Sequence, residues 1–270
     1  MVVARHNSGV VGAGKALASQ VHPVFMLPPL ATSLFGAVLA GGADLAVAGV
    51  HVLAMFFAVY TAHVKDGYVD FHLRGEDDDH PLTVGGCRGA LAVSAAGFLA
   101  CTAGLWLLVS PLAALVTAPT WAIGYLHAPQ LDLNPVGATM GYPGGIALAL
   151  LGGYYAQTTS VDPQVLGLAG VFLLMLTGIK IIDDETDYDY DSSIDKRTVA
   201  VVLGPRGARK LALGLFGVAM VGVVGLALSL PGIPPTAAGG AAVFGAVLAI
   251  AYRVDAKLAT MLLIRGSYLF

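Results

Sequence analysis

The amino-acid sequence predicts an all-α integral membrane protein. Hydrophobic residues make up 57% of its 270 residues and charged residues only 11%, and its mean hydropathy is +0.78, far from the balance of a soluble domain. Apolar segments of about 20 residues, the length that crosses a bilayer as a helix, follow one another along the chain. Small residues crowd these segments, and small residues let neighbouring helices approach closely in lipid.

Nine apolar segments predict nine transmembrane helices. They are residues 18–40, 45–64, 89–109, 111–127, 135–157, 164–182, 208–230, 235–253 and 256–270. Turn signals such as Gly41-Gly42, Ser110-Pro111 and Pro231-Gly232 separate them. Several segments contain proline, and broken helices inside a membrane face protein or a water-filled cavity. We therefore expect residues 1–270 to form a single polytopic domain around a central cavity.

The distribution of basic residues predicts how the chain is oriented. Lysine and arginine precede the first predicted helix and follow the second, sixth and eighth, whereas the intervening loops near Gly42, Ser110, Ser160 and Gly232 contain neither. By the positive-inside rule, the N-terminus and both acidic segments described below lie on the cytoplasmic side of the cell membrane. The cavity is expected to open to the same side.

Acidic residues concentrate in the segment from Asp183 to Thr198, DDETDYDYDSSIDKRT, which holds seven of the chain's 17 within 13 positions. Asp183, Asp187, Asp191 and Asp195 recur every four residues, so that three of them can share one helical face. Stacked carboxylates repel one another, and Mg²⁺, which prefers carboxylate and phosphate oxygens, relieves that repulsion. We therefore predict Asp183, Asp187 and Asp191 as ligands of a metal–diphosphate site. The alternative is a solvated acidic loop.

A second acidic segment, HVKDGYVDFHLRGEDDDHPLT, follows the second predicted helix and begins at His63. Asp66 and Asp70 lie four residues apart on one predicted helical face, which makes them further candidate metal ligands. Together the two segments hold 13 of the 17 acidic residues. Two such helices facing one another would clamp a diphosphate through bridging Mg²⁺.

Basic, aromatic and histidine side chains near these segments are candidates for substrate binding and catalysis. Lys180 precedes Asp183 by about one turn, and an ionisable residue inside a membrane helix is a functional candidate, with snorkelling to the interface as the alternative. His63 is a candidate base or hydrogen-bond partner, or else an interfacial histidine. Tyr60, Tyr68, Phe71 and Tyr125 can stabilise a cation through their rings or simply pack at the interface. The candidate diphosphate-binding residues are Lys65, Arg74, Lys180, Lys196 and Arg197.

Other classes of function find little support in the sequence. A formal net charge of −3 without a basic block gives no reason to expect a nucleic-acid partner. The two cysteines, Cys87 in a predicted cytoplasmic loop and Cys101 inside a predicted helix, suggest no disulfide framework. No zinc site is predicted, because no histidine pair has ligand spacing beside a carboxylate.

The two acidic segments resemble motifs of the UbiA superfamily of intramembrane prenyltransferases, whose members carry NxxxD after helix two and DxxxD after helix six. Asp187-xxx-Asp191 fits the second motif, and the DKRT run from Asp195 to Thr198, followed by VAVVLG, is similar to the family's GKRT-like run. In the first motif Asp66 stands where the family has asparagine, and Asp70 keeps its place. Tyr125 resembles a family tyrosine, although the basic residue that often follows it is absent.

This resemblance, which spans nearly the whole chain, implies an enzyme. The expected reaction is Mg²⁺-dependent transfer of a prenyl chain from an allylic prenyl diphosphate to a lipophilic acceptor in a bilayer-embedded cavity, with release of diphosphate. Mg²⁺ would neutralise the leaving diphosphate, and the acceptor would attack the allylic cation away from water. The acceptor classes are a quinone precursor, an ether-lipid precursor or a carotenoid. The candidate catalytic residues are Lys180, Tyr125 and His63.

Two other kinds of membrane protein also carry acidic residues. A divalent-cation transporter would place them at the bilayer midplane on broken helices, whereas these lie at predicted helix ends. A CDP-alcohol phosphotransferase would carry a DGxxAR run, and the sequence from Asp66 to Asp70, DGYVD, lacks its arginine.

Overall fold

The computed structural model of this protein describes residues 2–6, 8–194 and 196–267. Over these residues the chain is helical, and strand pairing is limited to one isolated bridge between Ala4 and Leu82. The α-helices are α1 (Gly9–Ala18), α2 (Pro23–Leu39), α3 (Leu45–Gly67), α4 (Val84–Leu108), α5 (Pro111–Leu126), α6 (Pro135–Thr158), α7 (Pro163–Asp183), α8 (Tyr188–Ser193), α9 (Val199–Ser229), α10 (Thr236–Ala251) and α11 (Ala256–Ser267). The all-helical fold class is therefore confirmed.

Local sequence accounts for where many of these helices begin. A polar side chain stands directly before seven of them and accepts hydrogen bonds from first-turn N–H groups, which have no partner within the helix. These capping residues are Asp44, Thr83, Ser110, Asn134, Asp162, Thr198 and Asp255. Proline occupies the first turn of four helices, where a missing N–H costs nothing: Pro23, Pro111, Pro135 and Pro163.

Among the residues that the structure describes, four helices are long and apolar enough to cross a membrane: α3 with its continuation to Arg74, α4, α7 and α9. The pair α1 and α2, bent by 66°, passes the same test as one broken span. Each of the nine predicted segments overlaps a helix among the described residues. Because length and composition support four or five spans, the count of nine stays a prediction, and residues 268–270 of the last segment lie outside the described residues.

Three predicted helix boundaries are wrong. The segment 18–40 forms two helices, because α1 ends at Ala18 and the chain bends before α2. The helix predicted from residue 208 begins at Val199 and is broken at Gly204 (φ 68°, ψ 161°). The acidic run after Asp183 does not continue α7, and a separate short helix, α8, begins at Tyr188.

The position predicted for Cys87 is also wrong. The Thr83 cap starts α4 at Val84, before the residue 89 predicted, so that Cys87 lies in the first turns of the helix rather than in a loop. Both Cys87 and Cys101 are buried free thiols on α4.

The first of two compact units comprises Met1–Gln130 and Leu148–Val161. Helix α3 lies at its centre and packs against α2, α4 and α5. Glycine makes this packing close, since a Cβ on Gly124 would collide with the carbonyl oxygen of Ala58, and a Cβ on Gly153 with that of Ser33. The prediction that small residues bring these helices together thus has a specific basis in this unit.

Residues 2–6, the N-terminal strap, pair with the loop before α4. The Thr83 N–H donates to the Val3 carbonyl at 2.9 Å, and the Arg5 N–H donates to the Pro81 carbonyl at 2.9 Å. The Arg5 side chain adds an ion pair with Asp79 at 2.9 Å. The strap therefore holds the loop through both backbone and side-chain contacts.

The second unit comprises Leu131–Ala147 and Asp162–Phe270. In it α9 packs against α7 and α10, and α11 packs against α7 and α10. Phe216 and Phe244 are fully buried at the centre, with ring centroids 5.7 Å apart. Gly178 on α7 allows the Phe216 ring to lie against the α7 backbone, since a Cβ there would approach the ring to 2.8 Å.

Candidate functional site

The acidic segment that begins at His63 lies where α3 changes its helical type. Asp66 stands in the last turn of α3, and Asp70 in a π-helix from Tyr68 to Arg74 that continues it. A π-helix bonds each N–H five residues back, so that side-chain directions depart from those of an α-helix, and such segments are frequent at functional sites. The predicted common face of Asp66 and Asp70 therefore cannot be taken from ideal α-helical geometry.

The Asp70 carboxylate lies in a mixed charge cluster. Arg74 Nη1 is 3.6 Å from Asp70 Oδ1 and 3.5 Å from Glu76 Oε1. Gly75 adopts φ 66° and turns the chain, so that the Glu76 N–H donates to the Asp70 carbonyl at 2.8 Å. The side chain of Asp70 is 23% exposed and that of Asp66 is 45% exposed. Arg74 is thus positioned by two acids beside the proposed metal ligands.

Tyr125 lies in the last turn of α5, inside the helix rather than in the loop after it. Its ring stacks on Trp121, with centroids 5.2 Å apart, and Lys65 Nζ lies 4.9 Å from the Tyr125 ring centroid. This distance is within the range of a cation–π contact. The structure therefore brings together two residues that the sequence singled out separately, Lys65 and Tyr125.

Histidines surround the same helix end. His127, which the sequence analysis missed, places Nε2 4.0 Å from Asp66 Oδ1. His63 Nδ1 lies 3.3 Å from the Gln20 carbonyl oxygen, and its ring centroid is 4.7 Å from that of His22. A carbonyl oxygen can only accept a hydrogen bond, so the neutral His63 ring donates to it from Nδ1–H. The lone pair of the ring is then on Nε2.

In the acidic segment from Asp183 to Thr198, Asp184 forms a buried ion pair with Lys180 that the four-residue spacing of the aspartates did not indicate. Lys180 Nζ lies 2.6 Å from Asp184 Oδ1 and 3.6 Å from Asp183 Oδ2. Asp184 is only 2% exposed, because it caps the buried end of α7, whereas the Asp183 side chain is 47% exposed. The predicted contact of Lys180 with Asp183 exists, but its shorter contact is with Asp184.

Asp187 stands directly before α8, and Asp191 lies within it. Asp187 is exposed at the N-cap position, and the Asp191 N–H donates to its carbonyl at 2.8 Å. Asp191 is buried, with Lys196 Nζ 3.5 Å from Oδ1. Burial raises the pKa of Asp191, an effect that Lys196 partly offsets.

The prediction that Asp183, Asp187 and Asp191 line one continuous helix is wrong, because a turn separates α7 from α8. Asp195 lies outside the described residues. Arg197 is exposed, and its N–H donates to the Asp132 carbonyl at 3.0 Å.

The donor atoms of this segment fit a hard divalent cation. Asp184 Oδ2 and Glu185 Oε1 are buried and have no hydrogen-bond partner among the described residues, although an unsatisfied buried carboxylate oxygen is costly. Burial raises the pKa of both carboxyls, against the opposing effects of Lys180 on Asp184 and of Arg209 on Glu185. A cation bound here would give these oxygens a partner and favour their charged form, and oxygen-only ligand sets suit Mg²⁺.

Comparison with known proteins gives one family match and several structural matches. The sequence profile of the UbiA prenyltransferase family matches residues 27–261. No match was found among curated protein sequences.

Three solved structures illustrate the structural similarity. An apo UbiA homologue from Aeropyrum pernix K1 is 18% identical, with a TM-score of 0.70 over 92% of this chain and 96% of its own. Digeranylgeranylglyceryl phosphate synthase is 15% identical, with a TM-score of 0.75 over 95% and 94%. A UbiA homologue from Archaeoglobus fulgidus bound to GPP and Mg²⁺ is 15% identical, with a TM-score of 0.68 over 96% and 99%.

The family profile covers most of the chain, and the structural matches extend over nearly all of it. Together with several apolar helices of membrane-spanning length, they identify a multi-pass membrane protein. The chain belongs to the UbiA prenyltransferase family.

Proposed function

We propose that this protein transfers a prenyl group from an allylic prenyl diphosphate to a lipophilic acceptor within the membrane and releases diphosphate. Family membership supports the reaction class. The observation that carries the proposal is the group formed by Lys180, Asp184 and Asp191, in which two buried carboxylates lie beside lysines and one carboxylate oxygen has no partner among the described residues. Such a group suits the binding of a metal–diphosphate rather than a purely structural ion pair.

The proposed Mg²⁺ ligands are the predicted carboxylates Asp66, Asp70, Asp183, Asp187 and Asp191, with Asp184 added by the structure. When bound, Mg²⁺ supplies positive charge that neutralises the leaving diphosphate. An Archaeoglobus fulgidus UbiA homologue has been solved with GPP and Mg²⁺ and with DMAPP and Mg²⁺, which supports the use of Mg²⁺ together with a prenyl diphosphate.

Cationic side chains are proposed to bind the diphosphate oxygens. Lys180 is held by Asp184, and Lys196 by Asp191, so that both ammonium groups are positioned before a substrate arrives. Positioning of this kind lowers the reorganisation needed as negative charge develops on the leaving group. The full proposed set is Lys65, Arg74, Lys180, Lys196 and Arg197.

Two residues are proposed to act around the allylic group and the acceptor. Tyr125 carries Lys65 over its ring, so we assign it the positioning of that cation. His63 holds its proton on Nδ1 toward Gln20, and we propose that its Nε2 accepts a proton from the acceptor. The acceptor is a quinone precursor, an ether-lipid precursor or a carotenoid.

Radiolabelled prenyl diphosphates, incubated with membranes that contain the expressed protein and with acceptor candidates, test the proposal. Labelled prenylated lipid is expected only when the protein and Mg²⁺ are both present, and chelation should abolish it. Asp70→Asn should lower the turnover by a factor of about 10² to 10³, the usual cost of losing one electrostatic contact in the transition state.

Asp78→Asn is the matched control, because Asp78 is an exposed carboxylate in the following loop, and it should retain the wild-type rate. Equal binding of a prenyl diphosphate analogue in EDTA and in Mg²⁺ would contradict metal bridging. Mg²⁺ flux through proteoliposomes without any prenyl transfer would favour the transporter alternative instead.

A further inference from the structure

Two histidines and a cysteine converge beside the π-helix in the first unit. His72 lies in the π-helix, His80 in the loop that follows it, and Cys87 in the first turns of α4. One ligand atom from each residue lies within 4.8 Å of the other two, and Cys87 Sγ is 4.0 Å from His80 Nδ1. The prediction of no zinc-type ligand set therefore overlooked this group, whose members become neighbours only through the fold.

Hydrogen bonding leaves the His80 ring unsatisfied. His80 is 5% exposed, and its Nε2 is buried with no hydrogen-bond partner among the described residues. The Leu82 N–H donates to His80 Nδ1 at 3.2 Å, which places a lone pair on Nδ1 and the proton on Nε2. Burial lowers the pKa of His80 below its usual value, so the imidazole is neutral near pH 7. A neutral imidazole binds metals through its lone pair, so a metal ion at Nδ1 would take the place of the Leu82 N–H.

The Leu82 backbone contacts both histidines. Its carbonyl oxygen lies 3.0 Å from His72 Nε2, and its N–H donates to His80 Nδ1. Cys87 is completely buried. Two imidazole nitrogens and one sulfur form a borderline-soft ligand set, which selects Zn²⁺ over Mg²⁺.

We propose that His72, His80 and Cys87 bind one Zn²⁺ ion at a site separate from the carboxylates. Binding replaces the Cys87 S–H bond with a metal–sulfur bond and releases that proton to solvent. Zinc–nitrogen and zinc–sulfur bonds of about 2.0 to 2.3 Å require these three donors to move closer than they stand here.

The proposed ion would join three parts of the chain: the π-helix, the loop before α4, and α4 itself. His72 follows Asp70 by two residues on the π-helix. The His80 ring also packs on α3, because a Cβ on Gly67 would lie 2.5 Å from His80 Nε2. Zn²⁺ at this place would therefore fix the segment that presents Asp70.

Metal titration of the purified full-length protein in detergent tests the site. After chelation and dialysis, the wild type should bind about one equivalent of Zn²⁺, as a structural site of this kind does. Co²⁺ should produce a thiolate-to-cobalt charge-transfer band. Cys87→Ser and His72→Gln should each weaken Zn²⁺ binding by a factor of at least about 10 and remove the band.

Two control variants locate the ion. Cys101→Ser removes the other buried thiol of α4 and should leave both readouts unchanged. Asp70→Asn should also bind Zn²⁺ like the wild type, which separates this site from the carboxylates. Because His72 is only half-buried, His72→Gln is expected to fold even if Cys87→Ser is unstable. The proposal would be overturned if the wild-type protein bound no Zn²⁺ or if His72→Gln bound Zn²⁺ as tightly as the wild type. Loss of Zn²⁺ binding in Asp70→Asn would overturn it as well.

Discussion

Asp184 and Asp183 are neighbours in sequence with opposite environments. Asp184 is buried against Lys180, and Asp183 is half exposed. The four-residue spacing of the aspartates predicted Asp183 as a metal ligand and did not include Asp184, because that spacing assumes an unbroken helix. Lys180 and Asp184 lie four residues apart, a spacing that favours an ion pair on one face of a helix and that would have predicted this contact.

At the same scale, the side chains around α8 are expected to differ sharply in importance. Asp187→Asn and Asp191→Asn should each lower prenyl-transfer turnover by a factor of about 10² to 10³, if each carboxylate contacts the metal in the transition state. Asp189→Asn should keep most of the activity, because Asp189 is exposed and lies two residues from either ligand. Turnover in membranes with a labelled prenyl diphosphate measures all three.

Asparagine preserves the shape of each side chain, and immunoblotting of the membranes controls for expression. An inactive Asp189→Asn together with a normal Asp187→Asn would show that the ligands of this segment are wrongly assigned.

Among the elements, the π-helix after α3 shows what the sequence could not supply. The acidic pattern and the apolar run before it correctly indicated a helix leading to Asp66 and Asp70. The π-helix lies between Gly67, against which the His80 ring packs, and Gly75, which adopts a left-handed conformation. Such tertiary contacts leave no periodic signal in the sequence.

Helix α9 offers a direct test of backbone geometry. Gly204 adopts φ 68° and ψ 161°, a region almost restricted to glycine, so Gly204→Ala should lower the free energy of unfolding by about 1 to 3 kcal/mol. Thermal unfolding in detergent, followed by circular dichroism, measures the change.

Gly214→Ala on the same helix is the matched control, since its Cβ would meet open space and alanine favours helix by up to about 1 kcal/mol. Gly204→Ala with the stability of the wild type would contradict the geometry described for the break in α9.

For the whole molecule, composition was enough to predict an all-helical membrane protein, because the bilayer demands long apolar helices. Composition alone was less able to predict how many of these helices cross the membrane. Helices α5 and α10 are apolar but short, and whether a short helix crosses depends on its neighbours and on local bilayer thickness. The same dependence on packing hid the convergence of His72, His80 and Cys87.

Orientation is the prediction that belongs to this scale. Asp78→Cys should be labelled by a membrane-impermeant maleimide only after cells are permeabilised, because the positive-inside rule places its loop in the cytoplasm. Ser160→Cys, in a loop without lysine or arginine, should be labelled in intact cells. Cys87 and Cys101 are buried and give a low background, and the opposite labelling pattern would reverse the proposed orientation.

The pairing of the N-terminal strap with the loop before α4 sets an order of events during synthesis. Arg5 donates to the His80 carbonyl across 75 positions of sequence, and a ribosome that adds about 5 to 20 residues per second needs about 4 to 15 s for that stretch. Helices α1, α2 and α3 are therefore synthesised before the partner of the strap exists. The strap therefore leaves the ribosome before its partner, and it can pair with the loop before α4 only after α1, α2 and α3 have been synthesised.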